Sequence, residues 1–226
     1  MSLLSILASH IENIFREHPY QFFTEHDIHS QLALFAKRAL EERGELHVTT
    51  HDGVVVSRVH HEYPTPFRCH MRGTEFKLVT EEDFIERKRK DPSFRARRGY
   101  IDFVILNSEY VVSNKLRVVS GKRYRDFLES LKNRRCEVLD LAVEVVYYPV
   151  FDKRLHEGIM NRRVESNIQD YQKLVALMEY EGVTDIPFCK EAGIMFFSNT
   201  IHKTKLKEKL ESLPKNKNVE FFAMLF

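Results

Sequence analysis

The chain has 226 residues, 43% of them hydrophobic and 30% charged, with a formal net charge of +2. This is the composition of an ordinary soluble globular protein, long enough to bury a full core. The near-zero charge excludes a broadly basic nucleic-acid binder, so any attraction for nucleic acid must come from local clustering.

Cys69, Cys136 and Cys189 are far apart and show no Cys-x-x-Cys spacing. That argues for a reducing compartment and against both a disulfide framework and a structural zinc site. No apolar stretch approaches the ~18–20 residues of a membrane span. The first residues lack the basic region of a signal peptide. The expectation is a single-domain cytoplasmic protein with no membrane contact.

In chain order, residues 3–17 read as an amphipathic helix that stops before Pro19. A second helix begins near Thr24, where Thr24 and Asp27 have capping-box spacing, and runs to about residue 43. Its apolar positions Ile28, Leu32, Phe35, Ala36 and Ala39 follow the 3.6-residue period. Residues 54–59 are strand-like and end at 63–66, where Pro64 and Pro66 stand. A short strand at 76–79 precedes a polar helix at 81–90. Strands are expected at 100–106, 110–112 and 117–119, and a helix at 122–134. The strong strand at 139–148 is followed by a helix at 162–180 and a strand at 192–198. A basic helix at 202–212 and a final strand at 219–225 complete the chain. This alternation favours the α/β class, with a mixed sheet covered on both faces.

Two carboxylates interrupt the most apolar strands, Asp102 within 100–106 and Glu144 within 141–148. A charge buried in a central strand must be paired, protonated or bound to a cation. Strand alternation puts Glu144 on one face with Ala142 and Val146. If the two strands are neighbours, Asp102 and Glu144 converge on one hard divalent ion such as Mg²⁺, with the Val145 carbonyl as a further ligand. Glu25 lies about 60° from Ile28 on a helical wheel, on the apolar face with Leu32. It also sits in the first turn, where a carboxylate interacts well with the helix dipole.

The segment 86–98 holds seven cations against two acids. Arg87, Lys88, Arg89, Lys90, Arg95, Arg97 and Arg98, with Phe94 among them, suit phosphate-backbone contacts without sequence readout. Further basic residues at Lys122, Arg123, Arg125, Lys132, Arg134, Arg135, Arg162 and Arg163 would widen that surface. The histidine-rich stretches, His60 with His61 and Cys69 with His70, lack the spacing of a zinc frame.

The order of these elements and the placement of the acids resemble the PD-(D/E)XK nuclease superfamily, the restriction-endonuclease-like fold. The match runs through residues 99–106 around Asp102 and 142–146 around Glu144. It covers roughly 20–200, leaving 201–226 as an extension of a single domain. The resemblance implies Asp102 and Glu144 as Mg²⁺ ligands, with Mn²⁺ as a substitute, and Glu25 as the helix-borne acid. It further implies DNA as the partner and a homodimer as the acting form. The family places a lysine two residues after the glutamate, where this chain has Val146. Some members supply that lysine from the following helix, and Lys173 is the candidate. On the wheel Lys173 lies about 140° from Ile168, at the edge of the buried arc, whereas Gln172 lies inside it and could orient water. The valine also supports a second expectation, a catalytically inactive domain that binds nucleic acid or serves in an assembly.

Overall fold

The computed structural model describes residues 2–18, 22, 24–72, 75–148, 157–180, 184–198, 207–208, 211 and 216–225. Helices α1 (Leu3–Glu17) and α2 (Glu25–Glu41) come first, followed by the antiparallel pair β1 (His47–Thr49) and β2 (Val55–Ser57). Next are β3 (Val59–Arg72), β4 (Glu75–Val79), α3 (Glu81–Lys90) and β5 (Arg97–Leu106). Three short helices, α4 (Ser108–Ser113), α5 (Leu116–Val119) and α6 (Tyr124–Leu131), lead into β6 (Leu139–Tyr148). Helix α7 (Glu157–Met178) then crosses to β7 (Cys189–Ser198), and β8 (Val219–Leu225) ends the described chain. The basic helix expected at 202–212 lies, apart from 207–208 and 211, outside the described residues.

The main sheet has six strands in the order β4-β3-β5-β6-β7-β8. It is antiparallel from β4 to β6 and parallel from β6 to β8. The protein is thus mixed α/β, with helices on both faces of a mixed sheet. Leu4, Leu7, Ile11 and Phe15 of α1 and Ile28, Leu32 and Ala36 of α2 bury against Phe103, Ile105, Val143 and Val145. Each such large side chain contributes roughly 1.5–3 kcal/mol. The opposite face packs Val104, Ala142, Val146 and Ile194 against Tyr110 of α4, Phe127 of α6, and Leu174 and Leu177 of α7. Glu144 shares this second face with Ala142 and Val146, as alternation requires.

Local signals explain most boundaries. Thr24 and Asp27 cap α2 reciprocally, the expected capping box. The segments 110–112 and 117–119, expected as strands from their valines, are helical. The Asn107 side chain accepts the Glu109 and Tyr110 N–H groups, and that cap starts a helix where propensity alone favours a strand. Strand β3 does not stop at 63–66 but runs on to Arg72. Its pairing with β4 begins only at Arg68, so Pro64 and Pro66 lie where β3 is still an edge and no ladder donor is lost.

Candidate metal centre

The sheet opens between β5 and β6. Their ladder runs from Leu106–Leu139 to Phe103–Val143 and continues no further, while β6 stays paired with β7 as far as Tyr148. The amides of β6 that would have met β5 therefore need other acceptors. The Val145 N–H donates to Asp102 Oδ2 at 3.0 Å. The Tyr147 N–H donates to the Glu25 carboxylate. In an extended strand the N–H and C=O of one residue point to the same edge, so the Val145 carbonyl also faces this opening.

A backbone irregularity stands at the same level on the other side of β5. His61 pairs with Phe103 and Tyr63 with Ile101, which sets Glu62 opposite Asp102. Glu62 has φ +51°, a left-handed conformation that costs a non-glycine residue free energy. Face alternation breaks at the same level, since Ile101 packs into the α7-side core and Phe103 into the α1–α2 core. Asp102 sits at the break and so reaches both layers. Close by, Gly99 lies against Thr65, whose Oγ1 would be 2.6 Å from any Cβ at that position.

On the helical side, Glu25 and His29 stand one turn apart on α2 and share a face. Ligand atoms of Glu25, His29 and Asp102 all lie within 4.8 Å of one another. His29 Nε2 is 3.8 Å from Asp102 Oδ2, beyond hydrogen-bond reach, and is buried without a hydrogen-bond partner among the described residues. The His61 ring stacks on His29 at 6.0 Å. Burial lowers the pKa of His29, against the pull of Asp102. Burial and then the Asp102 charge raise the Glu25 carboxyl to about 7, although the Tyr147 N–H opposes them. Glu25 remains an exposed residue overall, so its carboxylate forms the mouth of the site rather than its floor.

On the opposite layer, Glu144 is 2% exposed and meets Lys173 Nζ at 2.8 Å. The same ammonium lies 3.2 Å from Asp170 Oδ1. Burial pushes the Glu144 carboxyl well up, Lys173 opposes that, and the charges of Asp102 and Asp170 add to it. Burial likewise raises Asp170. For Lys173 burial acts to lower the pKa, but Glu144 and Asp170 outweigh it and the ammonium stays firmly protonated.

The structure thus brings together Glu25, Asp102, Glu144, Val145 and Lys173. It does not bring in Gln172, which points to solvent while Lys173 is buried. The wheel reversed them because it was referenced to Ile168, itself only half-buried. The buried arc of α7 centres between Asp170 and Leu174, which places Gln172 about 180° away. Sequence reasoning missed His29 and Asp170. The signals were present, as Glu25 to His29 is an i,i+4 pair and Asp170 to Lys173 an i,i+3 pair.

The basic segment divides into α3, its following loop and the start of β5. Much of its charge is already engaged. Lys88 donates to the Pro92 and Phe94 carbonyls, Lys90 pairs with Glu86 at 2.5 Å, and Arg95 donates to Pro92 and Phe94. Arg87 lies over Phe94 at 5.7 Å and Arg98 over Tyr124 at 4.1 Å. Arg89, Arg97 and Arg98 are exposed. Arg98 is four residues from Asp102 along β5, about 13 Å at strand rise. Arg134, considered above as part of a basic surface, is instead buried and donates to the Ile186 and Pro187 carbonyls. The side chains of Arg162 and Arg163 lie outside the described residues.

No protein-family model matches the chain, and no curated protein or solved structure matches it either. Among the described residues no helix is long and apolar enough to cross a membrane. The geometry alone therefore carries the assignment. Its donor set of carboxylates, an inward-facing carbonyl and an unpartnered imidazole nitrogen suits a divalent cation.

Proposed function

We propose that this chain is a Mg²⁺-dependent phosphodiesterase that hydrolyses DNA, built on the restriction-endonuclease-like fold. One observation carries the reading: Asp102 and Glu144 stand on adjacent antiparallel strands where those strands part, and a crossover helix sets Lys173 2.8 Å from Glu144. The order of elements supports it, since α2 precedes the antiparallel β3-β5-β6 and α7 then crosses to a parallel β7.

Asp102, Glu144 and the Val145 carbonyl would hold the ion, with Glu25 assisting from the mouth. Bound there, a cation would supply activation of water and neutralisation of charge on a phosphate undergoing displacement. The Val145 N–H fixes the Asp102 carboxylate, so one oxygen is oriented by backbone rather than by a mobile side chain. Lys173 is held protonated by its carboxylate neighbours, so it serves as a donor that positions water and offsets developing negative charge, not as a base. Exposed Arg97 and Arg98 at the start of β5, with exposed Arg89 in the last turn of α3, would contact the phosphate backbone.

The test is cleavage of supercoiled plasmid and of single-stranded DNA in Mg²⁺ or EDTA. The parent cuts only with the metal, and Asp102→Asn and Glu144→Gln, shown folded by circular dichroism, do not. Equal cutting by both variants sinks the proposal.

A specific feature favours a second reading, a catalytically silent nucleic-acid-binding domain. Val146 is packed in the core and Lys173 already neutralises Glu144. Salt-sensitive DNA binding without metal-dependent cleavage decides for it.

A further inference from the structure

We propose that Glu25, His29 and Asp102 form a site for a first-row divalent transition ion of the Mn²⁺ or Fe²⁺ class, preferred over Mg²⁺ and separate from the Glu144–Lys173 ion pair. This rests on Asp102 as a cation ligand and does not depend on DNA being cut.

The placement comes from two elements. Glu25 and His29, one helical turn apart on α2, project toward the level where β5 leaves β6 and where Asp102 fills the opening. Their ligand atoms lie within 4.8 Å of one another. Two donors at bond lengths of about 2.1 Å stand roughly 3 Å apart when adjacent and 4.2 Å when opposite. Side-chain rotation of less than about an ångström therefore closes the three onto one ion.

The imidazole is the decisive member. His29 Nε2 is buried, 3.8 Å from Asp102 Oδ2, and lacks a hydrogen-bond partner among the described residues. A buried ring nitrogen left unsatisfied costs free energy unless something occupies its lone pair or its proton. The His61 ring stacked against His29 restricts its rotation. Mg²⁺ favours oxygen and water, whereas imidazole suits the first-row metals and carboxylates serve either. One nitrogen among carboxylates shifts the preference toward the transition ions. Glu144 lies in the opposite layer and is already engaged by Lys173, so it is not needed to complete this triad.

Solution titration tests the site without relying on activity. Mn²⁺ binding is followed by the loss of its free electron paramagnetic signal, Co²⁺ binding by its visible absorption, and Mg²⁺ by competition. The parent is expected to bind Mn²⁺ at least about tenfold more tightly than Mg²⁺. His29→Gln and His29→Ala, the latter well tolerated in a helix, are expected to lose about tenfold or more in Mn²⁺ and Co²⁺ affinity while Mg²⁺ affinity changes little. Asp102→Asn loses binding of Mn²⁺ and Co²⁺. Equal Mn²⁺ and Mg²⁺ affinity in the parent overturns the proposal, as does no binding at all. So does unchanged Mn²⁺ affinity in both folded His29 variants. A loss on His61→Gln as large as on His29→Gln also overturns it, by placing the ion elsewhere. Intact Mn²⁺ binding without DNA cleavage would count against the nuclease reading and leave this site standing.

Discussion

Strand β6 carries a carboxylate near each end of its first half, and the two are handled in opposite ways. Asp140 is fully matched: Arg58 pairs with it, Lys190 stands at 2.7 Å and Asn107 donates at 3.0 Å. Arg58 in turn donates to the Leu106 carbonyl at 2.8 Å and the Glu45 carbonyl at 3.3 Å. Further along the same strand, Glu144 lies near Asp102 and Asp170, with Lys173 as the ammonium among them. Asp140 ties β6 to β7 and to the residues flanking β3 and β5, and asks for nothing more. The other cluster gathers several carboxyls, raised by burial and by one another, around a single ammonium. A fold that satisfies one acid so completely and crowds acids around the next has room for an added cation at the second.

The comparison breaks most sharply at Arg58. Arg58→Ala strands Asp140 and several carbonyls, and is expected to cost about 3–5 kcal/mol in urea melts while leaving metal affinity unchanged. Lys173→Met is expected to cost less, about 2–3 kcal/mol at pH 8, because Glu144 can escape its charge by taking up a proton. The loss shrinks near pH 5, and adding Glu144→Gln to Lys173→Met restores most of it. If both losses are equal and independent of pH, the two regions do not differ as described.

A third expectation concerns pH. The Glu25 carboxyl ionises at 4.5 when unfolded and at about 7 in the folded site. Between those values the folded state holds the extra proton. Its contribution to stability is therefore fullest below 4.5, falls as the pH rises toward about 7, and then levels. Raised Glu144 and Asp170 add to the same slope. Glu25→Gln flattens part of it, and Mn²⁺ at about 100 times its Kd adds roughly 2.7 kcal/mol to the parent but not to Asp102→Asn. Melting curves from pH 4.5 to 8 read both effects.

The smallest effect on stability is expected at the surface. Replacing Arg89 and Arg97 with glutamine changes stability by less than about 0.5 kcal/mol. The same change weakens DNA binding and flattens its salt dependence by about one unit of slope for each phosphate no longer neutralised. An unaltered salt slope removes this segment from the interface.

The Glu144 side of this contrast was legible in the sequence, whereas the Asp140 network was not, and the reasons are local. Asp102 and Glu144 stand out because each interrupts an otherwise apolar strand, and Thr24 and Asp27 because a cap is a short-range device. The final strand at 219–225 has the predicted bounds for the same reason. The opening between β5 and β6 could not be read. It depends on register, on Glu62 adopting φ +51°, and on two β6 amides turning to carboxylates from other elements. The reversal of Gln172 and Lys173 has a related cause, since only the packed sheet shows which arc of α7 is covered. His29 went unnoticed because an i,i+4 acid–histidine pair means little until a strand acid arrives beneath it.

The most direct test of a cation at the parting of β5 and β6 is diffraction from a crystal soaked in Mn²⁺. The account predicts an anomalous peak bonded to Asp102, with further ligands drawn from Glu25, His29, Glu144 and the Val145 carbonyl. A soaked crystal with no peak at Asp102, Lys173 still seated on Glu144 and His29 unmoved would contradict it.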